Sequence, residues 1–127
     1  MKKQIEDVCI FHDSFGIKNN YTPTEKLSEN VVLLRHRLMA EENEEYLEAC
    51  KNGDLVEIAD ALGDMMYILC GTILSHGLQD KIEEIFDEIQ KSNMSKLGTD
   101  GKAIYREDGK IMKGPNYFKP DIKKIIL

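Results

Sequence analysis

From Ile58 to Cys70 the chain is apolar except at Asp60 and Asp64. A helix hydrophobic nearly all round is normally buried, and carboxylates in such a helix are rare unless paired or bound to a cation. Three more acids fall into step with these two: Glu57 in the same segment, and Glu42 and Glu45 in the segment before it. The spacing is i, i+3 in the first segment and i, i+3, i+7 in the second, so each set lines one helix face. No Lys or Arg lies between Gly53 and Gln79 to pair them locally. At about 5 Å and an effective dielectric near 20, each carboxylate pair repels by roughly 3 kcal/mol. The arrangement calls for a cation, and hard oxygen donors select Mg²⁺ or Mn²⁺.

The pattern around the acids is helical. Ile5, Val8, Phe11 (or His12) and Phe15 give a short amphipathic helix over 4–15. After a loop at 16–21, Thr22-Pro23-Thr24-Glu25 reads as a capping box with Pro at the first helical position, opening a helix that runs to about Lys51. Asn52-Gly53 ends it, and Asp54 caps a third helix that continues to about His76 and stops at Gly77. A fourth helix starts at Asp80-Lys81-Ile82-Glu83 and reaches about Leu97. Beyond Gly98, Ala103 to Tyr105 and Lys110 to Met112 flank Asp108-Gly109, a hairpin turn, and Pro115 and Pro120 mark an extended tail. The expected fold is all-α: a bundle of four main helices with a small C-terminal β-hairpin, in one domain over residues 1–127. The short link at 52–54 makes helices two and three antiparallel neighbours, which lets Glu42 and Glu45 face Glu57 and Asp60.

Composition narrows the function. The net charge of −6 argues against nucleic-acid polymers and anionic membranes as partners, since both need a basic surface. Three cysteines without metal-site spacing point to reduced thiols in a cytoplasmic protein. The N-terminus has no long apolar run behind it, and the apolar stretch Met65 to Leu74 is too short to span a bilayer. With 42% hydrophobic residues the core is thin for helices this long, so burial is expected to finish by homodimer or homotetramer formation. Ile58, Leu62, Met65 and Leu69, opposite the acidic stripe, supply such a face.

Ordinary structural roles compete for some of these acids. Asp54-x-x-Glu57 fits a cap, and Glu41, Glu42, Glu44, Glu45 and Glu48 fit a solvated face. They account poorly for Asp60 and Asp64, because Asp is a weak helix former and both interrupt a hydrophobic run. No His stands three residues after any of the acids, which argues against the Glu-x-x-His di-iron sites of other bundles.

Glu41-Glu42-x-x-Glu45 followed by Glu57-x-x-Asp60, with Leu38-Met39-Ala40 leading in and Ala61-Leu62-Gly63-Asp64-Met65-Met66-Tyr67 following, resembles the all-α nucleotide pyrophosphohydrolase superfamily. That superfamily includes MazG-like proteins, dimeric dUTPases and phosphoribosyl-ATP pyrophosphohydrolases. Ser92-Asn93-Met94-Ser95-Lys96 and Asp108-Gly109-Lys110-Ile111-Met112-Lys113-Gly114-Pro115 are similar to a MazG-like subset described as phosphoribosyl-ATP pyrophosphohydrolase-like. The resemblance implies an Mg²⁺-dependent enzyme that cleaves a nucleoside triphosphate between its α and β phosphates. It implies Glu42, Glu45, Glu57 and Asp60 as metal ligands, Asp64 as a further ligand, and Glu41 as the group that orients or deprotonates water. Asn93 and Lys96, with Lys110 and Lys113, would meet phosphate. Phe11, Phe15 or Tyr105 would stack on the base and His12 hydrogen-bond it, against the ordinary core reading of each, of Phe11 above all. Hydrolysis of phosphoribosyl-ATP in histidine synthesis is the alternative reaction, and a non-catalytic helical dimer is the alternative of another class.

Overall fold

The computed structural model describes residues 1–127. Five helices follow one another: α1 (Lys2–Ser14), α2 (Glu29–Lys51), α3 (Leu55–Ser75), α4 (Ile82–Met94) and a single turn, α5 (Lys123–Ile126). The protein is all-α, as the pattern predicts. Its contacts fall into two compact units, Met1–Asp80 and Lys81–Leu127.

In the first unit α3 packs against both α1 and α2. The core is made of small and medium side chains: Ile5 and Val8 from α1, Ala49 from α2, and Ala61, Cys70, Ile73 and Leu74 from α3. On α1 the inward stripe is Ile5, Val8 and His12, so of the two alternatives at its third position His12 is the buried one, and Phe15 is exposed. By length and composition α3 would suffice to cross a membrane. Its three acids and its packing against α1 and α2 make it the central helix of this unit instead.

Asp54 caps α3 through Oδ1, which accepts from the Glu57 amide at 3.1 Å. Gly53 (φ 63°) and Gly77 (φ 66°) end α2 and α3 in the left-handed conformation expected of them. The start of α2 differs from the capping-box expectation. Ser28, not Thr22, is the N-cap, its hydroxyl accepting from Val31 N at 3.4 Å. The Thr24 amide donates to the His76 carbonyl at 2.8 Å, and the Thr24 carbonyl lies 2.8 Å from His76 Nδ1. Asn20 does the same one step earlier, its amide bonding Leu74 O at 2.9 Å and its side chain Ser75 O at 2.7 Å. These bonds satisfy the open carbonyls at the end of α3 and commit the backbone around Thr24 to tertiary pairing.

In the second unit the Asp108-Gly109 turn forms, with Gly109 N bonded to Arg106 O at 2.9 Å and Arg106 N to Lys110 O at 2.8 Å. Arg106 and Asp108 pair across it, which holds the Asp108 carboxyl below its usual range. The flanking arms make only one antiparallel bridge, Tyr105 with Ile111, and no strand ladder. Every residue from Gly101 to Lys113 is exposed, so the expected hairpin has no buried face to stabilise longer strands. Helix α4 is also shorter than expected, ending at Met94 rather than Leu97.

A Cβ at Gly77 would overlap the Thr22 carbonyl oxygen, whereas one at Gly53 meets nothing within 4 Å. Gly77→Ala is therefore expected to destabilise the protein by roughly 1–3 kcal/mol, and Gly53→Ala by about 1 kcal/mol. Urea denaturation midpoints would check the order; equal losses would mean that the Thr22 contact does not matter.

Candidate metal centre

The acids are placed by the antiparallel pairing of α2 and α3. At one side of them, the link is closed by Gly53 N to Cys50 O at 3.1 Å and Asp54 N to Ala49 O at 3.1 Å. At the other side, Arg35 reaches across from α2. Its Nε donates to Thr72 Oγ1 at 3.1 Å and its Nη2 to the Ile68 carbonyl at 2.9 Å. Arg35 is 8% exposed and has no carboxylate partner, and burial lowers its pKa. The crossing needs Gly71: a Cβ there would stand 2.5 Å from Arg35 Nη2 and 2.9 Å from His12 Nε2.

Between these two fastenings, Glu42, Glu45 and Asp64 each offer a carboxylate oxygen, all within 4.8 Å of one another. Glu42 Oε2 is buried and has no hydrogen-bond partner. Its pKa is pushed up to about 7 from an ordinary 4.5, first by desolvation, then by the neighbouring Glu45 carboxylate and the charges of Asp64 and Asp60. A buried acceptor with no donor, surrounded by like charge, fits a divalent cation held by oxygen ligands.

Glu57 and Asp60 line an adjoining cleft of about 280 Å³, together with Glu45, Glu48, Ala49 and Asn52. Glu45 belongs to both groups. The geometry thus splits the predicted set: Asp64, expected as the outlying ligand, sits in the tight cluster, while Glu57 and Asp60 face the cleft. Glu57 contributes only its amide to the Asp54 cap, because Asp54 N is bonded to Ala49 O; its carboxylate remains available to the cleft. Glu48 and Asn52 are additional lining residues. Their signal was the continuation of the Glu45 face by steps of three and four residues.

Glu41 lies outside the tight cluster and pairs with Arg37 at 3.8 Å. His12 is 2% exposed, and its Nδ1 is 2.6 Å from Asn19 Oδ1. The Asn19 amide nitrogen faces Asp13 Oδ1 at 3.3 Å and Cys9 Sγ at 3.5 Å, which leaves its oxygen to accept from His12. His12 is therefore engaged within the core. Phe15 is 70% exposed, with one face against Phe11 at 4.5 Å. Asn93, Lys96, Lys110 and Lys113 all belong to the second unit.

A carboxyl with a higher pKa in the folded protein than in the unfolded chain favours folding when protonated, and stability falls as pH rises through the interval between the two values. Metal-free protein is thus expected to lose stability from pH 4.5 to about pH 7 through Glu42. Glu42→Gln should flatten that decline. Thermal melts in chelator across the interval check it, and parallel curves for the two proteins would refute it.

The family model for phosphoribosyl-ATP pyrophosphohydrolase matches residues 8–93. No curated protein matches the chain. Among solved structures 24 chains match. One is a crystal structure from Exiguobacterium sp. 255-15, described as a candidate NTP pyrophosphohydrolase. It is 25% identical, with 97% of this chain and 93% of that chain covered and a TM-score of 0.55. The matched span takes in α2, α3 and all five acids that prompted the metal reading. The chain belongs to the phosphoribosyl-ATP pyrophosphohydrolase family and is a pyrophosphohydrolase of the all-α nucleotide pyrophosphohydrolase superfamily.

Proposed function

We propose that the protein hydrolyses a nucleoside triphosphate between its α and β phosphates, giving the monophosphate and pyrophosphate, with Mg²⁺ (or Mn²⁺) as cofactor. The observation that carries the metal requirement is Glu42, whose Oε2 is buried and unpartnered and whose carboxylate offers an oxygen within 4.8 Å of those of Glu45 and Asp64. Glu42, Glu45 and Asp64 would hold one ion, and Glu57 and Asp60, facing the cleft that Glu45 shares, would hold another. A triphosphate brings about four negative charges to an acidic site, so more than one divalent ion is needed; bound there, such ions would neutralise phosphate and acidify water.

The chain's own groups then have defined tasks. Glu41 is exposed and held only by a long ion pair with Arg37, so it is free to orient the attacking water and accept its proton. Asn93, Lys96, Lys110 and Lys113 supply donors for the phosphates, from the same or a second chain. Phe15 offers an open ring face to a base, while His12 acts through the packing of α1. The whole chain, 1–127, would act as one functional domain. The name of the Exiguobacterium protein favours a nucleoside triphosphate as substrate, and the family match favours phosphoribosyl-ATP as the second reading.

A second copy of the chain would complete the first unit. Leu62, Met66 and Leu69 on α3 and Val32, Leu33 and Leu47 on α2 are each 44–54% exposed. Side chains of this kind in such number fit a homodimer or a homotetramer more than a free surface.

Pyrophosphate release with Mg²⁺ across ribo- and deoxyribonucleoside triphosphates and phosphoribosyl-ATP tests the reaction. The expected outcome is monophosphate plus pyrophosphate, reduced by about 100-fold or more in Glu45→Gln. Silence across the panel without metal binding would overturn it. Light scattering should report a dimer or larger; a compact monomer would remove the second copy.

A further inference from the structure

No Lys or Arg of the protein is buried except Arg35, and the proposed reaction gives it no task. Its two bonds fall on a single turn of α3, and that turn closes on itself. Thr72 Oγ1, which accepts from Arg35 Nε, donates in turn to the Ile68 carbonyl at 2.9 Å, the same oxygen that accepts from Arg35 Nη2. The planar guanidinium thus grips two points of α3 at a fixed spacing, which the single ammonium of a lysine cannot do. These are the only side-chain hydrogen bonds between α2 and α3.

The register of the two helices ties this clamp to the acids. Glu42 and Asp64 offer oxygens to one tight cluster. Arg35 stands seven residues before Glu42, and Gly71, over which it crosses, stands seven after Asp64. Seven residues are about two turns and bring a helix back to nearly the same face. The clamp and the acids therefore lie along one seam, about 10 Å apart. The link at 52–54 holds only the other end of that seam. A slip of α3 by one residue turns it by about 100° about its axis, enough to carry Asp64 away from α2. The bonds to Ile68 and Thr72 oppose that turn.

We propose that Arg35 is a positioning residue for the metal centre: clamped on Ile68 and Thr72, it fixes the rotation of α3 that brings Asp64 against Glu42 and Glu45, and so sets the affinity for a divalent cation. It touches no ligand itself. The inference rests on the metal site proposed above. Its sign separates it from a purely electrostatic role. Removing a positive charge about 10 Å from an acidic site tightens cation binding by Coulomb attraction alone, whereas loss of the clamp weakens it.

The test is Mn²⁺ binding to the full chain, read by calorimetry and by the electron paramagnetic resonance of the ion. Arg35→Met and Thr72→Val are each expected to weaken binding about tenfold, and Thr72→Ser, which keeps the hydroxyl, to leave it at the wild-type level. In an Arg35→Met background Thr72→Val should cost nothing further, because the two changes break the same clamp. Gly77→Ala, which destabilises α3 beyond the clamp, should bind Mn²⁺ as the wild-type protein does. Unchanged or tighter binding in Arg35→Met, or an equal loss in Gly77→Ala, would overturn the role of Arg35. If Arg35→Met loses its helical signal in circular dichroism, the contrast between Thr72→Val and Thr72→Ser decides the matter. No Mn²⁺ binding by the wild-type protein would overturn the metal site and the positioning role together. Tight wild-type binding that neither substitution alters would sink the positioning role and leave the proposed reaction standing.

Discussion

The repulsion among Glu42, Glu45 and Asp64 cannot be relieved by moving α2 and α3 apart, because the helices are fastened on both sides of the acids. The 52–54 link closes one side, and Arg35 bonded over Gly71 closes the other. The charges are held at spacings the backbone dictates, so relief has to come from a proton or a cation. Glu42 shows this most directly, with an oxygen cut off from water and a proton retained up to about pH 7. A site made in this way needs little rearrangement when a cation enters, which is the physical meaning of preorganisation at a metal centre.

Close approach of the two helices has a cost elsewhere. Ala49, Ala61 and Gly71 are buried along α2 and α3, and small residues allow nearby backbones at the expense of apolar volume. Leu62, Met66 and Leu69 are exposed, and helical spacing puts them on the side of α3 away from its acids. One amino-acid pattern therefore produces a tight acidic seam and an apolar exterior.

Features set by neighbours in the chain were legible in the sequence, and features set by distant partners were not. Asp54, Gly53 and Gly77 act within a turn of their own positions, and the limits of α3 follow from them. Thr22 to Glu25 carries an equally good local signal for a helix start, but the Thr24 backbone is claimed by His76, fifty-two residues away. Helical spacing brought the acids onto facing surfaces; it had no means of ranking them, which depends on rotation about the helix axes. Arg35 was invisible for a similar reason. Nothing in its surroundings in sequence distinguishes it from Arg37, which lies on the surface in an ion pair with Glu41.

After Ser92, Gly114 is the only buried residue. The contacts that hold this stretch are mostly made by main-chain atoms of the tail, at Gly114, Phe118 and Asp121. Most of its residues can therefore be exchanged without disturbing how it is held. Helix α3 has no such freedom, since its acids, its glycine at 71 and its buried face are each fixed by a different neighbour.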